Sequence, residues 1–193
     1  MQLDIVSKMT SKKALVILAE GAEEMETVIV VDVLRRAQIE VTLANLEENP
    51  HVLCSRNVKI VADKPLNEVI NQVFDAVVLP GGGKGAQSLA ASSQVGEILK
   101  NHQKEGKVLA AVCAAPTAFL AHDIGKGGKL TSYPAFKEKL EKDYEYSTDR
   151  VVVDGNMVTS RGPGTCFEFA FKLAEILVSK EMADQLKEQT LAL

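Results

Sequence analysis

One thiol, a trio of carboxylates and two glycine-rich loops are the residues of this chain best suited to covalent chemistry. Cys113 sits in AAVCAAPTAFLAH, where a short apolar run meets a proline and then a helical pattern. This is the pattern of a nucleophile elbow. Small residues, here Ala111 and Ala115, stand two positions to either side, because the strand-to-helix turn is too tight for more. The central residue takes a strained backbone in such a turn. Pro116 suits the first turn of the next helix, where its missing N–H costs nothing. A cysteine facing a helix N-terminus is drawn toward its thiolate by the dipole. The competing role is a small buried hydrophobe, which is common for cysteine.

A reactive thiol needs a proton partner. The segment AEGAEEMET supplies Glu23, Glu24 and Glu26. Acids in a first helical turn are stabilised by the dipole alone, whereas one tucked beside a thiol and desolvated would hold its proton near neutral pH. The residues themselves leave the choice among the three open. PGGGKG offers backbone N–H groups as an oxyanion hole. Gly81, Gly83 and Ala86 also fit a loose G-x-G-x-x-A, but it follows an internal strand rather than the first βαβ unit. No Gly-Lys-Ser/Thr occurs, so a phosphate-binding P-loop is excluded.

The elements that must position these groups alternate. ALVIL (14–18), EVTLAN (40–45), NVKIV (57–61), DAVVLPGG (75–82) and KVLAAVC (107–113) read as strands. Helical candidates lie between them, one reaching Arg36 and one with Val95, Ile98, Leu99 and His102 in phase. RVVVDGNMVTS (150–160) reads as a hairpin turning at Asp154-Gly155. TCFEFAFKLAEILVSK places Phe167, Ala170, Phe171, Ala174 and Leu177 on one helix face. Fully apolar strands alternating with helices predict a three-layer α/β/α sandwich around a mostly parallel sheet. Ligands in such sheets bind beyond the carboxyl ends of the strands, where EGAEEMET, PGGGKG, CAAP and SRGPGT all fall. The run VIVVDV (28–33) is an oddity, since β-branched residues disfavour helices. Burial on both sides, by the sheet and by a second subunit, would explain it, as would a helix that simply lies deep in one chain.

The chain has 193 residues, 46% of them hydrophobic, and a net charge of −4. That suits one domain over 13–193, with 1–12 a loosely ordered lead-in. No basic stripe suggests nucleic acid. No apolar run reaches the ~18 residues needed to cross a membrane, and residues 3–6 are too short for a secretory core. Cys54, Cys113 and Cys166 are widely spaced and form no CxxC, and the three histidines stand at no ligand spacing from them. Neither a disulfide framework nor a metal site is expected. Cys54 and Cys166 read as packing residues, and free thiols suggest a reducing compartment.

KALVILAEGAEEMET, VLPGG, AAVCAAPTAFLAH and TSRGPGT with FEFA resemble, in combination, the DJ/PfpI superfamily, specifically its clade of parkinsonism-associated deglycases and oxidative-stress proteins. The resemblance spans about residues 13–188. It implies a flavodoxin-like (Rossmann-like) homodimer with Cys113 as nucleophile and Glu26 as its acid. It implies backbone oxyanion contacts at Gly82 and Ala114. It places Arg56, Tyr133, Arg161 and Pro163 at the pocket or dimer seam, and the first helix in the dimer interface. Tyr133 stands where many relatives have a histidine, which weakens any Cys–His pairing and with it a protease reading. Val61 stands where vertebrate relatives have a second cysteine.

The expected activity is that of a cofactor-independent deglycase or glyoxalase acting on methylglyoxal and early glycation adducts. The alternative is an oxidation-sensing, chaperone-like protein whose Cys113 becomes a sulfinate. The resemblance implies a cytoplasmic protein with nuclear and mitochondrial pools.

Overall fold

A computed structural model of the chain describes residues 11–192, so most of the expected lead-in lies outside the described residues. Lys12 already belongs to the folded part, its Nζ 3.0 Å from Asp75 Oδ1.

The first half runs β1 (Lys13–Leu18), α1 (Glu24–Arg36), β2 (Glu40–Asn45), β3 (His51–Leu53), β4 (Lys59–Val61), β5 (Lys64–Pro65), β6 (Ala76–Leu79), α2 (Gly83–Ala91) and α3 (Ser93–Lys104). The second half runs β7 (Val108–Val112), α4 (Pro116–Ala121), β8 (Lys129–Leu130), α5 (Lys137–Leu140), β9 (Glu145–Tyr146), β10 (Val151–Asp154), β11 (Met157–Ser160), α6 (Cys166–Leu177) and α7 (Lys180–Thr190).

Seven strands form one sheet in the order β10-β11-β7-β6-β1-β2-β5. All its pairings are parallel except β10 with β11. The strands are apolar on both faces because helices cover both. Val16, Leu18, Val78 and Val112 face a cluster with residues of α1, α6 and α7. Leu15, Ile17, Val77, Leu79 and Leu109 face a second cluster with α2, α3, α4 and α5. The expected doubly wound sandwich is what the chain forms.

The β-branched run folds as helix because burial outweighs propensity. Val30, Val33 and Leu34 of α1 are fully buried. Each contributes about 1.5–3 kcal/mol against a helical cost of roughly half a kcal/mol per β-branched residue. Glu23 caps the helix by accepting from the Glu26 N–H at 2.8 Å, and Arg35 and Arg36 close its last turn. Val28, however, is 54% exposed on the outward face of this single chain.

Three details differ from the sequence reading. The strand expected at 57–61 is β4, which begins at Lys59 because Asn57 takes a left-handed φ of 68°. It pairs antiparallel with β3 in a hairpin outside the main sheet. The hairpin of β10 and β11 pairs Asp154 with Met157, so its two turn residues are Gly155 and Asn156. In α6 Ala170, Phe171, Ala174 and Leu177 are buried as expected, together with Cys166, Phe169 and Leu173, but Phe167 is 39% exposed. Its neighbour Phe169 fills the core instead.

Candidate active site

The sheet order reverses between β1 and β6, with β2 on one side and β7 on the other. Chain segments leaving neighbouring strands diverge at such a point and open a crevice. Glu26 enters it from α1, just after β1. Gly81 and Gly82 follow β6, and Cys113 follows β7.

Cys113 is the elbow the sequence suggests. Its φ is 63°, a left-handed conformation that costs a non-glycine residue of order 1–3 kcal/mol. Ala111 and Ala115 are fully buried around it. The Cys113 N–H donates to Ser160 O at 3.0 Å, and its carbonyl accepts from the Tyr133 N–H at 2.9 Å, which lock the turn from both sides. Gly81 is required by the same crowding. A Cβ there would lie 2.6 Å from Cys113 Cβ, 2.6 Å from Glu26 Oε2 and 2.9 Å from Val112 O. Gly82 combines a φ of 87° with close backbone contact to Gly21.

Among the three acids, burial and the direction of the side chain make the choice. Glu26 is fully buried. Its Oε2 accepts from the Gly81 N–H at 2.7 Å, while Oε1 is buried without a hydrogen-bond partner. Desolvation lifts its carboxyl from 4.5 to about 7, against lowering contacts with Cys113 and the Gly81 N–H. Glu23 serves as the cap of α1. Glu24 reaches away, to Ser55 and Arg56.

The thiol does not behave as its position beside a helix suggests. Burial, then the charge of Glu26 and the contact with it, push Cys113 up to about 12. The helix after the elbow, α4, has six residues and begins three positions beyond Cys113, so its dipole contributes little. The groups that favour the thiolate are instead the Gly82 and Ala114 N–H groups. Two like charges this close cannot both form at neutral pH, so carboxyl and thiol titrate as one pair. The first negative charge of the pair forms near pH 7. While it rests on sulfur, Glu26 holds the proton and ceases to repel it.

A cavity of about 500 Å³ opens over the sulfur. Of the expected pocket residues, Arg56, Gly82, Ala114, Tyr133 and Pro163 line it together with Cys113. Arg161 does not. Its guanidinium turns outward to donate to Thr148 O at 2.8 Å, and its backbone N–H is taken by Thr165 Oγ1. Met25, Ser55 and Phe136 complete the wall. Met25 was legible, since it lies one position before Glu26, whereas Phe136 enters only through a turn at Pro134–Phe136.

No histidine approaches. His122 Nε2 lies 3.1 Å from Leu89 O, and His102 Nδ1 lies 2.9 Å from Ile98 O in its own helix. Cys54 and Cys166 are buried in packing, and the Cys166 thiol donates to Gly162 O at 3.4 Å. Among the described residues no three His, Cys, Asp or Glu side chains converge as metal ligands, and no helix is long and apolar enough to cross a membrane.

Comparison with known proteins agrees with this fold. The pattern of the DJ-1/PfpI family matches residues 12–176. Protein dj-1beta of Drosophila melanogaster is 51% identical over 177 residues, covering 91% of this chain and 95% of that protein. The crystal structure of Drosophila melanogaster DJ-1beta superposes with a TM-score of 0.93 at 49% identity, covering 95% of this chain and 99% of that one. A relative named glutathione-independent glyoxalase DJR-1.2, from Caenorhabditis elegans, is 40% identical over 177 residues, or 91% of this chain and 94% of its own.

Proposed function

This chain belongs to the DJ-1/PfpI family, and from that premise we propose that it converts 2-oxoaldehydes such as methylglyoxal to 2-hydroxy acids with its own side chains. The observation that carries the reading is the buried Glu26 carboxyl, lifted to about 7 beside the Cys113 thiol. The Caenorhabditis elegans relative carries the name of a glyoxalase. The Cys113 thiolate adds to the aldehyde carbon, and the resulting alkoxide takes a proton from Glu26, giving a hemithioacetal. Glu26, now ionised, removes the hydrogen from that carbon to form an enediol and returns it to the neighbouring carbon. The product is a thioester of the 2-hydroxy acid. Water releases the acid and regenerates the thiol, so the net change is addition of one water. The same addition to early adducts on protein amines or thiols would make it a deglycase.

Lactate formation from methylglyoxal by wild type and Cys113→Ser tests this. Loss of turnover in the variant is expected. Equal rates would end the reading.

A second reading has its own observation, the partnerless Glu26 Oε1. Protonated there, it would donate to an oxygen of a Cys113 sulfinate and stabilise the oxidised state. Intact mass after mild peroxide should then show two oxygens added at Cys113, and none there if the reading is wrong.

We also propose a homodimer through the outward face of α1. Met25 and Val28 are 53% and 54% exposed, and Val28, Val31 and Ile60 line an apolar groove of about 310 Å³. Three unpaired thiols suit a reducing compartment such as the cytosol.

A further inference from the structure

His102 shares the buried face of α3 with Val95, Ile98 and Leu99 and is only 7% exposed. Its carbonyl accepts from the Lys107 N–H at 2.9 Å, just before β7 begins. It therefore lies at the opposite end of that strand from Cys113 and takes no part in the chemistry proposed above.

The ring has one partner. Nδ1 is 2.9 Å from Ile98 O, and a carbonyl accepts only from a nitrogen that bears a hydrogen, so Nδ1 is the donor and Nε2 holds the lone pair. Nε2 is buried with no hydrogen-bond partner. A neutral ring tolerates this, because it forgoes a single acceptor contact. A protonated ring does not, because it carries a second N–H that needs an acceptor and a charge that needs solvation.

The surroundings supply neither. A cavity of about 330 Å³ lies between α3 and residues 69–74, with Phe74 and His102 in its wall. The charged residues of that wall are Glu97 and Glu105 of α3 and Lys107; residues 69–74 and Leu15 of β1 bring none. Glu105 is already taken, its Oε2 2.6 Å from Lys107 Nζ. Glu97, Lys100 and Lys104 are exposed. The strands β6 and β7 beneath α3 contain no charged residue, and the one charge of α2, Lys84, faces Glu20. Asp75, next to Phe74, is bound to Lys12 and to the Lys13 N–H. Burial first, then Lys107, hold the ring below the ordinary histidine value, against the Ile98 bond and Glu105.

We propose that His102 is an acid-sensitive latch: its ring accepts a second proton only when the last turn of α3 opens from residues 69–74, so acid loosens this end of the molecule while the Cys113 elbow stays in place.

The test is amide hydrogen exchange at Glu105, Gly106 and Lys107, whose N–H groups donate to Asn101 O, Gln103 O and His102 O. Rates are corrected at each pH for the exchange of an open chain, from about pH 7.5 to about 5, in wild type, His102→Phe and His102→Asn. Wild-type protection should be full above the ordinary histidine value, about 6.5. Below it, protection should fall by up to about tenfold per pH unit, the slope of one proton bound only in the open state. Phenylalanine keeps the bulk of the ring and asparagine keeps a donor for Ile98 O, and neither can take the proton. Both variants should stay level. Glu26 titrates over part of this range, and all three proteins share it.

Level protection in wild type, or an equal acid loss in the variants, would overturn the proposal. So would a long-range nitrogen spectrum showing Nε2 as the protonated nitrogen of the neutral ring, or a ring that titrates near 6.5 with the helix end still protected. Should the variants fail to fold, the wild-type slope and the ring spectrum still decide it.

Discussion

The elbow after β7 and the hairpin of β3 and β4 meet over one cavity and are held in place by opposite means. The elbow is built of backbone and packing. Ala111, Val112 and Ala115 are fully buried, and Gly81 leaves the space that Cys113 and Glu26 fill. The hairpin stands outside the main sheet; Val52 and Cys54 pack into the core, and its strands and turn are moored to the loop after β1 and the start of α1 by polar contacts. Gly21 donates to Leu53 O, Glu20 Oε2 accepts from the Leu53 N–H at 3.1 Å, and Glu24 holds Ser55 and Arg56. Packing fixes the reacting atoms whatever the solution conditions. Carboxylate mooring is directional and responds to pH.

The most severe way to break the contrast is at the sulfur. Cys113→Ser should remove lactate formation while leaving the fold intact, since the hydroxyl is close in size. Glu26→Gln should follow, with kcat lowered by about 10²–10⁴-fold, the usual worth of a positioned acid–base group.

The same variant has a stability signature. The folded pair of Glu26 and Cys113 takes its first charge near 7, against 4.5 for the carboxyl of the unfolded chain. Its stabilisation is therefore full below about 4.5 and is lost as pH rises through 7, a fall of about 3 kcal/mol. Urea unfolding across this window should show that fall in wild type and not in Glu26→Gln.

Gly81→Ala places a methyl against Cys113, Glu26 and the Val112 carbonyl. A loss of about 1–3 kcal/mol is expected in the same assay. The hairpin should respond in the opposite sense to acid. Glu24 is depressed below its unfolded value, so its contribution is complete above about 4.5 and disappears as pH falls further. Glu24→Gln should flatten that acidic limb and leave the region near pH 7 unchanged. Smallest of all, Val28→Lys on the exposed face of α1 should alter monomer stability by less than about 0.5 kcal/mol, yet convert a sedimenting dimer to monomer.

How far each region could be read from the sequence follows the same division. The strands of the sheet are uninterrupted apolar runs, so β1, β2, β6 and β7 stand out, and with them the loops at their ends. Cys113 was legible because an elbow demands alanines at fixed offsets. Glu26 was not separable from Glu23 and Glu24 by pattern, since all three are acids of one loop. Glu24 and Glu26 are both buried and differ in the partners they reach, so resemblance to a family had to supply the choice. β3 was missed because His51–Leu53 is three residues long with only Val52 buried. Arg161 was expected at the pocket or the dimer seam; its guanidinium donates to Thr148 O and does not line the cavity of this chain. In α6 four of the five expected face residues are buried and Phe167 is not, because Phe167 and Phe169 are equally apolar and pattern alone does not say which of them faces the core.

The whole scheme depends on where one proton resides. Absorbance of the thiolate at 240 nm against pH, in wild type and Glu26→Gln, reads that directly. Ionisation of Cys113 well below 12 is expected in both proteins, because a proton kept by Glu26 and an uncharged glutamine both spare the sulfur the repulsion of a carboxylate and leave only its burial to raise it. A wild-type thiol that ionises only near 12, as it would beside a charged Glu26, would contradict it.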